Sequence, residues 1–526
     1  MDPKPHNPNP TRPTFPRSHA SLVLTVLDYF HPRNMSLLRK LAGETAIYGF
    51  SYILSRVLHY FLITIYLTRV ISTSQFGIFR DLYFYVAVIL VILTFRMETT
   101  YFRYAREDRP AVMAMSMTFL TFFAGISFLL LWLFNSEVAL WLEYPDMTAH
   151  VLMLGGVLFF DTMSAVPFAS LRQQNRPMRF LALKLGSILI NILLVLFFIE
   201  FFPRIAENNT ELIGLFNTDD KLFYVFLSNL LASTITFFLL LPLMRKQDLR
   251  WDLGFLGKML KYSWPLVIVG FAGVINQYSS IAFQKHLLPA DTISNLSSGG
   301  IYAAAASLAI LLSLFTTAFN YAAEPFFFAH KDREDARAVY ADVALAFTII
   351  GSLMMLMILA YIDLFQLLLG KDFRQGLEVV PILLVSFLLL GIYYNVSVWY
   401  KLADKTIFGA WIAGFGTLIT IGLSFLLIPS MGVIGSAWTA LACYLFMVVS
   451  AYLLGQKYFP IPYRVSRMTV WIMAAIAIYF LMEWLRRFYG EHIGVVLLVN
   501  TLLVAIYLLL IYKFEKKLLK NALGRS

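Results

Sequence analysis

Residues 343–362 read VALAFTIIGSLMMLMILAYI, a run with no charged side chain, bracketed by Asp342 and Asp363. At 1.5 Å per residue such a run makes a helix of about 30 Å, the thickness of a bilayer's hydrocarbon core. Runs of this kind recur along the chain. Windows of about nineteen residues place helices at 47–68, 82–102, 112–134, 149–171, 180–202, 222–243 and 263–284, then at 303–327, 343–362, 379–400, 407–428, 433–454, 468–485 and 494–512. The expectation is an all-α integral membrane protein of about fourteen spans.

Composition agrees. Of 526 residues, 59% are hydrophobic and 14% charged, against roughly 45–50% and 25% in soluble domains. The net charge of +11 does not point to nucleic acid, because the basic residues lie in short loops between apolar runs rather than on one face of a soluble module. With both termini cytoplasmic, 31 of the 42 Lys and Arg residues fall on the cytoplasmic side and 9 on the other. The positive-inside rule therefore selects that orientation and an even number of spans.

Soluble-enzyme chemistry finds little support. Cys443 is the single cysteine and sits in an apolar run, so neither a disulfide within the chain nor a cysteine-based metal site can form. The eight histidines show no HExxH spacing, and Asp219 and Asp220 lie in a loop without phosphate-cradling glycines. No catalytic residue, metal ligand or resident cofactor is expected. The longest outer loop, 203–221, is too small to house a membrane polymerase or glycosyltransferase site.

Residues 1–35 carry Pro3, Pro5, Pro8, Pro10, Pro13 and Pro16 and read as a disordered, Pro-rich N-terminus, with Met35 an alternative start. The first apolar run is too long for a signal-peptide core and lacks a small-residue cleavage site.

The chain also repeats itself. Thr68-Arg69-Val70-Ile71 leading to Phe76-Gly77-Ile78-Phe79 resembles Gln284-Lys285-His286-Leu287 leading to Gly299-Gly300-Ile301-Tyr302. Met97-Glu98-Thr99-Thr100-Tyr101-Phe102 then lines up with Ala323-Glu324-Pro325-Phe326-Phe327-Phe328. Two similarities in one order indicate duplication, and a unit of six helices makes the repeat parallel, with the substrate between the halves. The expected division is a six-helix lobe over 36–245, a second over 246–458, and two additional helices with a basic tail over 459–526. The boundary near 245–260, with Arg245, Lys246, Arg250, Trp251 and Lys258, reads as an amphipathic interfacial segment.

These residues resemble the polysaccharide transporter branch of the multidrug/oligosaccharidyl-lipid/polysaccharide exporter superfamily, in particular O-antigen-type flippases. The likeness spans 36 to about 515. Besides the repeat motifs it rests on Gly43 to Ser55, Trp399-Tyr400-Lys401-Leu402-Ala403-Asp404-Lys405-Thr406, Ile428-Pro429 with Gly432, Gly435-Ser436-Ala437-Trp438 and Gly455-Gln456-Lys457-Tyr458-Phe459-Pro460. It implies a central cavity, alternating access, and export of an undecaprenyl-pyrophosphate-linked oligosaccharide across the bacterial inner membrane, alongside polysaccharide-assembly enzymes. A peptidoglycan-precursor flippase and a cation-coupled drug exporter are the rival readings.

Charges within the spans cost at least about 2.5–3.5 kcal/mol each on insertion scales, so they normally face a cavity or a partner. Arg56 is expected about 13 Å into its helix, as a cation for the pyrophosphate or as a structural partner of Glu98. Arg96, Asn276 and Gln277 are the further cavity candidates, Arg96 being equally readable as a topological charge near the cytoplasmic end and the two amides as interhelical ties. Asp161, Glu98 and Glu324 are candidates for proton or sodium coupling. Against those roles stand a hydrogen-bonded structural carboxyl for Asp161 and helix-end pairing for the glutamates, of Glu98 with Arg103. Lys285 reads as an ordinary interfacial lysine, Trp251, Trp399 and Trp471 as interfacial anchors, and Gly270, Gly273, Gly432 and Gly435 as close helix contacts.

Overall fold

A computed structural model describes residues 53–105, 109–174, 176–206, 220–244, 252–329, 333–403, 405–489 and 492–516. The Pro-rich segment with Met35, Asp219, Asp404 and the basic boundary residues Arg245, Lys246, Arg250 and Trp251 lie outside the described residues, as does the Glu324 side chain.

Fourteen described helices are long and apolar enough to cross a membrane. They are α1 (Ile53–Val70), α2 (Thr73–Tyr104), α3 (Pro110–Leu133), α4 (Pro145–Gln173), α5 (Pro177–Ile205), α6 (Lys221–Leu243) and α7 (Leu253–Tyr278). The second set is α8 (Thr292–Asn320), α9 (Ala336–Ala360), α10 (Lys371–Leu402), α11 (Ile407–Met431), α12 (Val433–Tyr458), α13 (Val465–Phe488) and α14 (Ile493–Phe514). Among the described residues there are no strands. Local chemistry sets several starts. Ser72 and Gln75 close a capping box at α2, while Asp220 and Asp252 accept hydrogen bonds from the backbone N–H of Phe223 and Phe255 at α6 and α7. Several spans begin well before hydropathy indicates: α2 at Thr73 rather than 82, α7 at Leu253 rather than 263, α8 at Thr292 rather than 303 and α10 at Lys371 rather than 379.

Helices α1–α6 and α7–α12 form two lobes, each packed mainly within itself, and α13 and α14 pack on α9. Arg464–Asp342 and Arg486–Asp363 ion pairs, both 2.8 Å, pin α13 at its two ends. Asn500 donates to the carbonyl of Ala360 from α14 (2.7 Å). With fourteen spans joined in series, the basic loops of the sequence define one end of the chain and the remaining loops the opposite end.

At the opposite end the lobes meet backbone to backbone, α2 against α8. A Cβ placed on Gly77 would lie 1.9 Å from the Leu296 carbonyl oxygen, and one on Gly300 would lie 2.1 Å from that of Thr73. These are the equivalent glycines of the two repeats, so the duplicated motifs meet each other at the crossing. Thr73 and Ser297 share a hydroxyl hydrogen bond there (2.7 Å), and Gly370 donates its N–H to Thr68 Oγ1 (3.0 Å).

A buried ionic knot lies beside this crossing. Lys285, in the helical extension of α7, is 3.5 Å from Asp81 of α2, and both side chains are fully buried. Lys285 also donates to the carbonyl of Leu142, lies 4.1 Å above the Tyr144 ring and faces Glu143 at 3.7 Å. The Tyr144 hydroxyl donates to Asp81 (2.7 Å). Lys285 is therefore no interfacial lysine; its neighbour His286, 3.6 Å from Glu143, is the half-exposed one. Two of the three tryptophans expected as interfacial anchors also depart from expectation. Trp399 is wholly buried and donates to the carbonyl of Ala451, and Trp471 is buried and donates to Glu515. Of the four glycines, Gly435 makes a close helix contact with the Leu427 backbone, while Gly432, at φ 65°, forms the tight turn between α11 and α12.

Two measurements test this seam. Replacing Gly300 with Val overpacks the α2–α8 crossing and should lower stability by at least about 1–3 kcal/mol, read as an earlier unfolding midpoint in detergent. Lys285→Met leaves the Asp81 carboxylate buried without its cation and should cost about 3–5 kcal/mol, whereas the Asp81→Asn/Lys285→Met double variant should regain most of that loss.

Candidate functional site

The second span is not one continuous helix. It is helical over Thr73–Thr94 and again over Met97–Tyr104, and between them Phe95 (φ 46°) and Arg96 (φ 53°) both occupy the left-handed region. Two consecutive non-glycine residues there cost roughly 1–2 kcal/mol each. Short-range backbone bonds close the interruption. The Phe95 N–H donates to the carbonyl of Ile92 (3.2 Å), and the N–H groups of Thr99 and Thr100 both donate to that of Arg96 (3.1 Å each). The break turns the Arg96 side chain out of its helix and across α7, where it covers Gly270. A Cβ on that glycine would lie 2.3 Å from the guanidinium.

Arg96 forms one wall of a pocket of about 260 Å³ between the lobes. The other walls come from α7, α10, α11 and α12 and include Gln277, Tyr278, Tyr393, Tyr394 and Tyr444. Gly273 borders the same space, with nothing within 4 Å of an added Cβ, so it widens the pocket rather than closing a helix contact. Of the sequence-selected cavity residues, Arg96, Asn276 and Gln277 come together here. The Asn276 amide is committed to α11: it donates to the carbonyl of Ala413 (3.3 Å) and accepts from Thr420 (3.1 Å). Gln277 is exposed to the pocket.

Arg56 is placed elsewhere. It donates to Thr317 Oγ1 (2.9 Å), a bond from α1 to α8 that ties the lobes near the basic end. Glu98 pairs with Arg96 (3.5 Å), its neighbour across the helix break, and not with Arg103, which stacks on Tyr262 at 4.6 Å. Asp161 accepts a hydrogen bond from Ser233 (2.8 Å) inside the first lobe, within electrostatic range of Lys184 and Tyr83. Tyr83 in turn accepts from Asn229.

Sequence reading did not single out three basic groups of this interior. His59 on α1 lies within electrostatic range of Arg80 on α2 and Lys184 on α5. Arg80 reaches that of Tyr278 on the second lobe. Window hydropathy put Arg80 and Lys184 at span ends because each lowers the local average; the early start of α2 at Thr73 moves Arg80 inside its helix. Arg80 and Arg96 are then separated by about 24 Å of helix axis, so cations punctuate most of the depth of a roughly 30 Å hydrocarbon layer. The described residues contain no cluster of three or more His, Cys, Asp or Glu able to hold a metal ion.

No protein-family model matches the sequence, and no curated protein matches it. Solved structures do share its fold. "Lipid II flippase MurJ, inward closed conformation" aligns with TM-score 0.67 at 14% identity, over 89% of this chain and 99% of that one. An inward-facing multidrug resistance MATE family transporter of the MOP superfamily aligns with TM-score 0.58 at 12% identity, over 78% and 95%. A point mutant of the Vibrio cholerae MATE transporter VcmN aligns with TM-score 0.56 at 13% identity, over 80% and 97%. The architecture is the one common to these flippases and exporters.

The helix break yields its own prediction. Arg96→Gly relieves the left-handed strain at that position but removes the cation, so thermal stability in detergent should hold or rise while ligand binding falls. Arg96→Leu should lose both, because a bulky residue keeps the strain without the ion pair to Glu98.

Proposed function

We propose that this chain is a flippase that carries a polyprenyl-pyrophosphate-linked oligosaccharide from the inner to the outer leaflet of the bacterial inner membrane by alternating access of its two lobes. The observation that carries this reading is the set of cationic side chains Arg80, Lys184 and Arg96, in a fold whose outward helix faces carry many exposed apolar side chains. Anionic pyrophosphate is the ligand chemistry such a set recognises, and arginine's planar fork suits its oxygens. A cavity for cationic drugs would instead have acidic or aromatic walls without an arginine; the pocket's tyrosines fit that, but the Arg96 guanidinium on its wall argues against the drug-exporter reading despite the shared fold.

In this cycle the head group enters from the basic, cytoplasmic end, with both termini on that side, while the lipid tail stays in the bilayer. The Asp81–Lys285 knot and the Gly77–Gly300 crossing close the far end and must part for release. Arg56, through Thr317, acts as a tie between lobes at the near end. Asp161 is the best placed of the coupling carboxylates, within reach of Lys184, with Glu98 and Glu324 as further candidates for proton or sodium coupling. The exported glycan belongs to cell-surface polysaccharide or lipopolysaccharide, made by enzymes working beside the chain. A peptidoglycan precursor is the second reading, favoured by the higher TM-score of the lipid II flippase.

Cells lacking the chain should accumulate lipid-linked glycan in the inner leaflet, detected by leaflet-selective labelling. An Arg80→Ala/Lys184→Ala variant that still inserts should fail to restore export, and restoration at the unsubstituted rate would remove the basic interior as the substrate site. Imposed proton or sodium gradients that leave the rate unchanged would remove Asp161, Glu98 and Glu324 from coupling.

A further inference from the structure

The interlobe pocket differs in chemistry from the basic groups deeper in the first lobe. Apart from Arg96 its walls belong to the second lobe, and four of them are tyrosines. Tyr393 and Tyr444 are buried, and Tyr444 donates its hydroxyl to the Asn276 carbonyl (3.3 Å), which fixes its ring. Tyr278 and Tyr394 present about half of their surface, 45% and 46%. Gln277, exposed between them and Arg96, offers a donor and an acceptor on one side chain. On the α7 wall Gly273 keeps the space open, and Gly270 gives room to the Arg96 guanidinium.

We infer that this pocket is a saccharide cup: it takes one sugar ring of the substrate, while the pyrophosphate is held by Arg80 and Lys184. The inference rests on the flippase reading and goes further by dividing the head group between the lobes. A pyranose has an apolar C–H face and a rim of hydroxyls that both donate and accept. Tyrosine rings supply flat apolar area with a polar tip for the face, and the Gln277 amide matches the rim. Size decides how much enters. At about 260 Å³ the pocket falls just below the roughly 300–1,000 Å³ of sites that enclose drug-sized ligands. It therefore accommodates a single ring and leaves the rest of an oligosaccharide in the space between the lobes. Arg96, already paired with Glu98, closes the end of the cup at Gly270, while Tyr278, within electrostatic range of Arg80, stands where the first sugar joins the phosphate.

Specificity would then come from the cup and charge-dependent affinity from the first lobe. The test measures binding to the full chain in lipid nanodiscs of two probes, a short isoprenyl diphosphate alone and the same diphosphate bearing one N-acetylhexosamine. The unsubstituted protein should bind the sugar-bearing probe about tenfold more tightly, an increment of roughly 1.4 kcal/mol. Tyr394→Ala and Gln277→Ala should abolish that increment and leave the bare diphosphate's affinity intact. Arg80→Ala/Lys184→Ala should weaken both probes by the same factor and preserve the increment. Equal affinity of the unsubstituted protein for the two probes would overturn the cup while leaving the flippase reading standing, as would an increment that survives both cup substitutions. Failure of the bare diphosphate to bind at all would overturn the flippase reading and the cup with it.

Discussion

A charge inside a bilayer is tolerated only beside a partner or a polar cavity, and this constraint organises the whole molecule. The Asp81–Lys285 pair meets it by burial: two ions, a tyrosine hydroxyl and a backbone carbonyl join α2, the α3–α4 connection and the end of α7 at one point. Ion pairs of this kind add little net stability over an apolar core but penalise any state in which one partner is left alone. Such a contact is suited to a seam that is either fully closed or fully open. Arg80, the residue preceding Asp81, faces another way, within electrostatic range of His59 and of Tyr278 on the second lobe. One turn of α2 thus serves both the seam and the interior.

The duplication gives the seam its geometry. Gly77 and Gly300 hold equivalent positions in the two halves, and the backbones touch because neither carries a Cβ. Close approach at small residues is how membrane helices gain packing contact where lipid offers no hydrophobic drive. At the other end of α2 the strain at Phe95 and Arg96 works in the opposite sense, spending conformational energy to project a guanidinium into the space between lobes.

The sequence made the architecture legible because span length, loop charge and the repeated motifs all report on the bilayer, a uniform solvent. It was less informative about the interior. Adjacent Arg80 and Asp81 depress any hydropathy window, so their helix looks shorter than it is, and Lys184, only a turn inside the span expected at 180–202, reads as a span-end charge. The break at Phe95 and Arg96 contains neither glycine nor proline, so nothing local announces it; the backbone bonds that close it, from Phe95 to Ile92 and from Thr99 and Thr100 to Arg96, appear only once the turn is built. Lys285 and Trp399 were read from distance to a span end, whereas partners far along the chain, Asp81 and Ala451, bury them. Asn276 and Gln277, adjacent and alike on paper, both border the pocket but differ because a helix turns successive side chains about 100° apart: the first spends its amide on α11, and the second presents its own to the pocket.

The most direct test is a flipping assay with the purified chain in sealed proteoliposomes containing a short-chain polyprenyl-pyrophosphate-linked sugar, followed with a membrane-impermeant enzyme that cleaves only the exposed leaflet. The account predicts that essentially all of the substrate becomes cleavable over time with the intact chain, and only the initially exposed half when Arg80 and Lys184 are replaced by alanine. Cleavage that stops at the exposed half with the intact, folded chain under every imposed ion gradient would contradict it.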